Sequence, residues 1–331
     1  MSTTVSKDQA LEHFHEDFDA LAREIAKVVV GQTETIQHLL TAAIAGGHVL
    51  LEGVPGLGKT LLVQTLANVL QLQFNRVQFT PDVMPSDLLG TYIVMETAQG
   101  RRMFEFQKGP IFANLILADH INRGMPKTQS ALLQAMEGDP ITMATEVFHL
   151  PEPFFVMGTQ NPLDTEGTFP LPEPEVDRFF FKLLVPAPSC EELDAILERT
   201  TEGLPDEVRT IVDGKRLIEM REIARNDIVL DPKLRRWAAT VVSATHPDFP
   251  KAPEAVKRYG RYGASPRGAR SLVLGAKVRA AAAGRNAVAK EDLLAVAVPA
   301  LRHRIQLNFE GQAENVNPDT LVESILANVG G

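Results

Sequence analysis

The chain has 331 residues, 44% of them hydrophobic and 23% charged, proportions that are typical of folded globular proteins and exclude a disordered or fibrous chain. With 42 acidic and 33 basic residues the formal net charge is −9, which argues against a generally basic surface for nucleic acid. No apolar run approaches the roughly 20 residues of a membrane-spanning helix, and the first residues are too polar for a signal peptide. We therefore expect a cytoplasmic protein, and the single cysteine, Cys190, agrees with a reducing compartment.

Strands alternate with helices in the first part of the sequence. Apolar residues at helical spacing predict two helices at residues 8–30 and 33–44. Short and mostly continuous apolar runs then predict buried strands, the second of which is more polar, at residues 48–51, 74–79, 115–118, 154–158 and 179–184. Helices are predicted between them at residues 59–70 and 127–137. This alternation is typical of an α/β fold with a parallel sheet covered by helices.

Two further segments and one interruption of the strand–helix alternation complete the predicted organisation. Residues 91–106 read as an inserted β-hairpin, and residues 141–150 have a similar pattern. The proline-containing segment around Pro188 ends the alternation, and the residues after it read as helical. The later helices are predicted at residues 191–199, 214–224, 232–245, 266–283, 290–303 and 320–329. We expect an α/β domain at residues 1–187 and a smaller all-helical domain at residues 188–331.

Residues 53–60 match the phosphate-loop pattern G-x-x-x-x-G-K-[ST] completely, between a predicted strand and a predicted helix. Glycines let backbone N–H groups turn toward phosphate oxygens, and the helix N-terminus adds partial positive charge. Lys59 would reach the terminal phosphates, and the Thr60 hydroxyl can bind Mg²⁺. The sequence therefore predicts ATP with Mg²⁺ as the ligand. The expected binding residues are Gly53, Val54, Pro55, Gly56, Leu57, Gly58, Lys59, Thr60 and Leu61.

An acid follows a second buried strand. The apolar run at residues 115–118 leads directly into Asp119. Open parallel sheets bind their ligands at the carboxyl ends of the strands, which is where this carboxylate would lie. We therefore predict that Asp119 and Thr60 together organise the Mg²⁺ ion.

A set of short motifs is similar to those of the MoxR family of AAA+ ATPases. They are residues 51–60 (LEGVPGLGKT), 108–114 (KGPIFAN), 121–123 (INR), 126–133 (PKTQSALL), 159–162 (TQNP), 166–168 (EGT), 171–173 (LPE), 177–179 (DRF) and 264–267 (ASPR). The matching blocks extend from about residue 31 to residue 305, which is nearly the whole chain. The resemblance implies a P-loop AAA+ domain followed by a helical lid, a homo-oligomeric ring that is commonly hexameric, and nucleotide at the subunit interface.

The same resemblance implies roles for individual residues. Asn161 corresponds to sensor 1, which orients the attacking water or senses the terminal phosphate. Arg178 resembles an arginine finger offered to the neighbouring subunit, and Arg267 resembles the sensor 2 arginine at the start of a lid helix. Arginine suits these positions because its planar, multiple donors stabilise charge on a transferring phosphoryl group. Arg123 and Lys127 are further candidates near the expected subunit boundary.

One residue departs from the family pattern. The family has a glutamate after the aspartate, acting as general base on the hydrolytic water, whereas this chain has His120 after Asp119. Loss of a positioned base typically lowers the rate by roughly 10²–10⁴, so we expect binding to persist and turnover to fall. Three alternatives stay open. Hydrolysis is slow and uses His120 or a relayed water, turnover is negligible, or another acid such as Glu166 or Glu173 substitutes.

These features favour a MoxR-type ATPase that couples ATP binding and slow hydrolysis to chaperone-like remodelling or activation of a partner protein. The alternative is a hydrolysis-impaired, ATP-dependent assembly scaffold. The resemblance implies a client that carries a von Willebrand factor A domain, and Arg101 and Arg102 at the hairpin tip are candidate client contacts. A nucleic-acid motor is disfavoured by the acidic composition. We assign the basic, aromatic-interleaved residues 257–262 to the lid or the subunit interface.

Overall fold

The computed structural model describes residues 7–96, 102–143, 146–163, 167–201 and 207–329. The strands in these ranges are β1 (Val49–Glu52), β2 (Phe74–Gln78), β3 (Gly90–Glu96), β4 (Arg102–Lys108), β5 (Leu115–Asp119), β6 (Ile141–Met143), β7 (Glu146–Phe148), β8 (Phe155–Gln160), β9 (Phe181–Leu184), β10 (Gly260–Tyr262) and β11 (Gln306–Leu307). The α-helices are α1 (Lys7–Ala26), α2 (Thr33–Ala45), α3 (Lys59–Val69), α4 (Pro85–Leu89), α5 (Pro126–Ala135), α6 (Glu173–Val176), α7 (Cys190–Thr201), α8 (Gly214–Asn226), α9 (Pro232–Ser243), α10 (Glu254–Tyr259), α11 (Pro266–Ala282), α12 (Lys290–Leu301), α13 (Phe309–Ala313) and α14 (Pro318–Val329). A short 3-10 helix, Ile121–Arg123, follows β5.

A parallel sheet with the strand order β2-β5-β8-β1-β9 lies at the centre of the α/β part. In its register Val49 of β1 is opposite Met157 of β8 and Phe181 of β9. All residues of β5 are buried, as are the first three of β1, which is expected for central strands covered on both faces. Because the strands are parallel, the loops that follow β1, β5 and β8 open at one end of the sheet, the carboxyl end. The strands begin at the opposite, amino end.

The apolar core occupies both faces of this sheet. Successive side chains of β1 alternate between the faces, so Val49 and Leu51 join one buried cluster and Leu50 joins the other. The first cluster also contains residues of α1, α2 and α3, and the second contains residues of α5. Helices α8 and α11 from the later part of the chain contact α1 and α2. The C-terminal helices therefore share a core with the N-terminal ones.

Among the described residues after Pro188 the chain is mainly helical, from α7 to α14, and it also contains a short pair of strands. Strands β10 and β11 pair antiparallel, with Gly260 opposite Leu307, and this pair was not predicted. Strands of two and three residues are too short to produce a recognisable period in the sequence. None of the helices in the described ranges combines the length and the apolar character that a membrane-spanning segment needs.

Two hairpins project from the α/β part. Strands β3 and β4 pair antiparallel over their full length, from Gly90 opposite Lys108 to Glu96 opposite Arg102. Strands β6 and β7 form a shorter antiparallel pair. The rings of Phe106 and Phe148 stack with centroids 4.4 Å apart, which joins the two hairpins. The predicted tip, including Gln99, Gly100 and Arg101, lies outside the described residues.

Candidate nucleotide-binding site

The turn between β1 and α3 has the conformation that a phosphate loop requires. Gly56 and Gly58 have φ values of +85° and +73°, which side chains other than glycine rarely adopt. A Cβ atom at either position would meet nothing within 4 Å, so the backbone conformation and not the space requires glycine there. Gly58 is also the N-cap of α3. The loop therefore leads directly into a helix N-terminus, whose N–H groups suit an anion.

Lys59 lies within the curve of this loop. Its Nζ atom donates hydrogen bonds to the carbonyl oxygens of Gly53 and Val54, at 2.7 and 2.8 Å. Burial lowers the pKa of the Lys59 ammonium, while the nearby negative charge of Asp119 acts in the opposite direction. The loop thus holds a positive charge beside its own backbone, in the position predicted to meet terminal phosphates.

Asp119 lies at the end of β5 and has a fixed carboxylate. Its Oδ1 atom accepts a 2.6 Å hydrogen bond from the Thr159 hydroxyl, and its Oδ2 atom accepts from Nη2 and Nε of Arg76 at 2.6 and 3.2 Å. Burial would raise the pKa of Asp119, but the hydrogen bonds from Thr159 and Arg76 outweigh it and the pKa is lowered. This acid is therefore ionised near neutral pH.

The oxygen atoms at the carboxyl end suit Mg²⁺. Thr60 supplies a hydroxyl in the first turn of α3, and Asp119 supplies an ionised carboxylate. Mg²⁺ prefers oxygen ligands and is commonly bound through one or two carboxylates together with substrate phosphates. The residues predicted to organise this ion therefore have the right chemistry for it.

His120 has an unusual backbone conformation directly after Asp119. Its φ of 55° and ψ of 48° are left-handed, a region that few residues other than glycine occupy. Its backbone N–H donates to the Thr159 hydroxyl oxygen at 2.9 Å, and its Nε2 lies 3.9 Å from Oδ1 of Asp119. The same Thr159 hydroxyl donates to Asp119. One side chain of β8 thus fixes both the last residue of β5 and the residue after it.

Asn161 follows β8, which lies between β5 and β1 in the sheet. It is buried, and its Oδ1 accepts from the backbone N–H of Leu163 at 3.1 Å. The preceding residue, Gln160, accepts a 3.2 Å hydrogen bond from the backbone N–H of Gly53. The structure therefore brings Asn161 to the same end of the sheet as the phosphate loop and Asp119.

A cavity of about 720 Å³ opens beside the phosphate loop. It is lined by Leu57 and Leu61 of the loop and α3, by α7, and by His38 of α2 and Leu294 of α12. Gln32 also lines it, and the Oε1 atom of Gln32 is buried without a hydrogen-bond partner among the described residues. A largely apolar cavity with a few polar atoms suits a flat aromatic ring. Sequence reasoning missed these residues, apart from the loop itself.

Arg178 and Arg267 meet at Glu137. Arg178 Nη1 lies 3.5 Å from Oε1 of Glu137 and donates to the carbonyl of Leu133 at 2.6 Å. Arg267 Nη2 donates to the same Glu137 oxygen at 3.0 Å, and its Nη1 lies 3.9 Å from Asp177. The structure therefore joins the predicted arginine finger and the predicted sensor 2 arginine in one cluster.

This arginine cluster lies at the amino end of the sheet. Arg178 precedes β9, and the backbone N–H of Phe180 donates at 2.7 Å to the carbonyl of His48, directly before β1. The His48 side chain also contacts the carbonyl of Met136, next to Glu137, at 3.0 Å. The phosphate loop follows the other end of β1. The chain thus carries its phosphate loop and its two predicted arginines at opposite ends of the sheet.

Other predicted residues are distributed between these two ends. Arg123 and Lys127 are exposed shortly after His120, on the side of the phosphate loop. Glu173 lines a second cavity of about 460 Å³ together with Asp177, on the side of the arginines. Glu166 lies outside the described residues.

Thr159 and Arg76 are functional candidates that sequence reasoning did not single out. Thr159 is 1% exposed in β8, and a hydroxyl residue directly after the apolar run that begins this strand was the available signal. Arg76 lies in β2, the more polar strand, where the sequence leads one to expect that an arginine faces solvent.

Comparisons with known proteins agree with this architecture. Residues 48–181 match the model of the ATPase family associated with various cellular activities (AAA), and residues 253–325 match that of the AAA lid domain. The Chaperone MoxR1 of Mycobacterium tuberculosis is 39% identical over 92% of this chain and 80% of that protein. Protein MoxR of Methylorubrum extorquens is 29% identical over 97% of both chains. A crystal structure from Cytophaga hutchinsonii superposes with a TM-score of 0.89 at 40% identity, covering 97% of this chain and 96% of that one.

The sheet with its phosphate loop, followed by a matching lid, defines the AAA+ class of nucleotide-binding proteins. Within that class, the chain belongs to the MoxR family of AAA+ ATPases. The family and the fold class that the sequence motifs predicted are thereby confirmed.

Proposed function

We propose that this protein binds ATP with Mg²⁺ at the carboxyl end of its sheet, hydrolyses it slowly, and uses the cycle to remodel or activate a partner protein. One observation carries the proposal. Lys59, Asp119 and Asn161 converge at one end of the sheet, whereas Arg178 and Arg267 lie at the other. Such a division suits a nucleotide held between two copies of the chain.

The chain's own groups have separate tasks in nucleotide binding. The loop N–H groups and Lys59 would bind the phosphates, and the cavity lined by Gln32 and Leu57 would accept the base. Thr60 and Asp119 would hold Mg²⁺, which neutralises phosphate charge when bound. The Thr159 hydroxyl keeps Asp119 in place because it bonds one of its two oxygens.

Hydrolysis needs a water oriented at the terminal phosphorus and an acceptor for its proton. A new bond forms between the water oxygen and phosphorus, the bond to the bridging oxygen breaks, and ADP leaves. Asn161 would orient that water, and His120, alone or through a second water, would take the proton in place of the family's glutamate. An imidazole in its neutral form can act as such a base. We expect slow turnover because this base differs from the usual carboxylate.

The arginines would complete the site from a neighbouring subunit. Positive charge beside the transferring phosphoryl group lowers the transition-state energy. Arg178 and Arg267 lie at the end of the sheet away from the phosphate loop of the same chain. In a ring, each subunit would present these arginines to the nucleotide of the next subunit, so every nucleotide would have both a phosphate loop and a pair of arginines. A closed ring of this kind uses the same head-to-tail interface throughout. We propose a homo-oligomer, with six subunits as the family suggests.

The proposed partner is a protein, in line with the name Chaperone MoxR1 of the relative from Mycobacterium tuberculosis. A client with a von Willebrand factor A domain is the family-based choice. The second candidate function is a scaffold whose assembly depends on ATP binding without turnover, and His120 is the residue that favours it.

The test compares the full chain with a Lys59→Ala variant by calorimetry and by phosphate release. We expect ATP to bind the wild type with Mg²⁺ and to bind the variant far more weakly. Phosphate release that exceeds the variant's supports the ATPase, whereas binding without release supports the scaffold. Absence of any ATP or ADP binding to the folded wild type would refute both.

A further inference from the structure

Arg76 of β2 is the closest cation to the carboxylate that is proposed to organise Mg²⁺. Its Nη2 and Nε atoms both donate to Oδ2 of Asp119, at 2.6 and 3.2 Å. The Arg76 side chain is 46% exposed, whereas that of Asp119 is 8% exposed. A half-exposed arginine therefore covers a buried acid from the solvent side, and its guanidinium has room to move away.

The hydrogen bonds of Asp119 leave little capacity for another cation. A carboxylate offers about four acceptor positions on its two oxygens. Arg76 donates two hydrogen bonds to Oδ2, and Thr159 donates one to Oδ1. One acceptor position on Oδ1 remains, beside the Thr159 hydroxyl, so a metal ion, or a water molecule bound to it, either takes that position while Arg76 stays on Oδ2 or displaces Arg76 from Oδ2. Two positive charges that share one carboxylate also repel each other.

We propose that Arg76 is an internal competitor for Mg²⁺, a positioning residue that sets how strongly the bound nucleotide depends on the metal. In this role Arg76 neutralises Asp119 whenever the metal is not engaged, so the carboxylate does not repel phosphates. When Mg²⁺ engages Asp119, the guanidinium yields Oδ2 and turns toward solvent. The inference rests on the proposed function, because it concerns the same nucleotide site.

The proposal predicts the direction in which loss of Arg76 changes the affinity for ATP, both without and with Mg²⁺. Without Mg²⁺, removal of Arg76 leaves Asp119 with an uncompensated negative charge near the phosphates, which weakens ATP binding. With Mg²⁺, removal of Arg76 frees Oδ2 and tightens binding. Both effects raise the ratio of the ATP dissociation constant in EDTA to that in excess Mg²⁺. If Arg76 only held Asp119 in shape, its removal would instead lower this ratio.

The experiment measures that ratio with a fluorescent ATP analogue for the full-length wild type and for Arg76→Met and Arg76→Gln. We expect both substitutions to raise the ratio by about fivefold, the usual strength of a partly exposed ion pair. Arg76→Lys, which keeps the charge, should stay near the wild type. Arg216→Met removes a comparable arginine that pairs with Asp17 at 2.7 Å, and it should leave the ratio unchanged.

The same change in an Asp119→Asn background completes a double-mutant cycle. There the effect of Arg76→Met should disappear, since the carboxylate for which the two cations compete is gone. An unchanged or lowered ratio in either folded Arg76 variant overturns the inference. A wild type that binds no nucleotide in EDTA or in Mg²⁺ instead refutes the proposed function, so the two failures are distinguishable.

Discussion

Arg178 and Arg267, which are 89 positions apart in the sequence, both reach Oε1 of Glu137, at 3.5 and 3.0 Å. Arg178 belongs to the α/β part and Arg267 to the first turn of α11 in the helical part. Glu137 therefore links the two parts at the amino end of the sheet. A carboxylate between two guanidinium groups offsets their mutual repulsion and holds them as a pair.

The position of this pair predicts complementation between inactive subunits. Arg178→Ala and Lys59→Ala should each lower phosphate release, the former by on the order of 10² because one donor to the transition state is lost. In a mixture, intact phosphate loops of the first variant can face intact arginines of the second. Mixing the two at equal concentration should therefore restore a fraction of the wild-type rate. Arg267→Ala should complement Lys59→Ala in the same way.

The control for complementation carries both substitutions in one chain. Mixed with wild type, the Lys59→Ala, Arg178→Ala double variant should only dilute the activity. Failure of the two single variants to recover any activity, in a mixture shown to co-assemble, would contradict the proposed use of the arginines between subunits.

Replacing His120 by glutamate should increase turnover. Glutamate would restore the carboxylate base of the family, and a positioned base is worth roughly 10² to 10⁴ in rate. ATP affinity should change little, because the phosphate loop and Asp119 are untouched. Steady-state phosphate release measures the rate, with His120→Gln as a control of similar size that cannot act as a base. An unchanged rate in His120→Glu would show that the lack of a glutamate after Asp119 does not limit turnover.

The sequence predicts the central strands well because a few consecutive apolar residues are enough to identify each of them. Residues 115–118 are apolar and lead into Asp119, and the structure has β5 at Leu115–Asp119. A strand covered on both faces must be apolar throughout, so its position is visible without knowledge of its neighbours. Strand β2 is at the edge of the sheet, which explains its more polar sequence.

The site was only partly predictable, since some of its contacts depend on the packing of distant segments. The phosphate loop is contiguous in sequence, so its residue pattern alone is sufficient to predict it. The cavity beside it combines Gln32, His38 and Leu294, which no spacing rule connects. Likewise, Arg76 meets Asp119 only because β2 and β5 are neighbours in the sheet. The opposed placement of Arg178 and the phosphate loop follows from strand direction, because Arg178 precedes β9, the loop follows β1, and these two strands are parallel.

Thr159→Val should impair both folding and metal-dependent binding. Valine has nearly the same shape, but it removes the hydroxyl that accepts from His120 and donates to Asp119. Leaving these buried groups unpartnered should lower the free energy of unfolding by about 1–3 kcal/mol. The pKa of Asp119 should rise, since a hydrogen bond that lowers it is lost.

Urea unfolding and ATP binding in Mg²⁺ measure the two effects of Thr159→Val. Thr159→Ser retains the hydroxyl and should preserve the advantage of Mg²⁺ for ATP binding, although it loses a buried methyl group. If valine and serine variants respond to Mg²⁺ alike, the Thr159 hydroxyl has no part in the metal site.

His48 should make stability depend on pH. Its Nε2 contacts the Met136 carbonyl at 3.0 Å and its Nδ1 accepts from the Val156 N–H at 3.0 Å, so the buried ring is held neutral. Burial lowers the pKa of His48 from 6.5 to about 4. Between these values the unfolded chain binds a proton that the folded chain does not, so stability is complete above pH 6.5 and is lost as the pH falls toward 4. The full loss amounts to roughly 3 kcal/mol. Urea unfolding from pH 7.5 to 4.5 should show a steeper loss for wild type than for His48→Gln, whose amide does not titrate, and equal slopes would contradict this role.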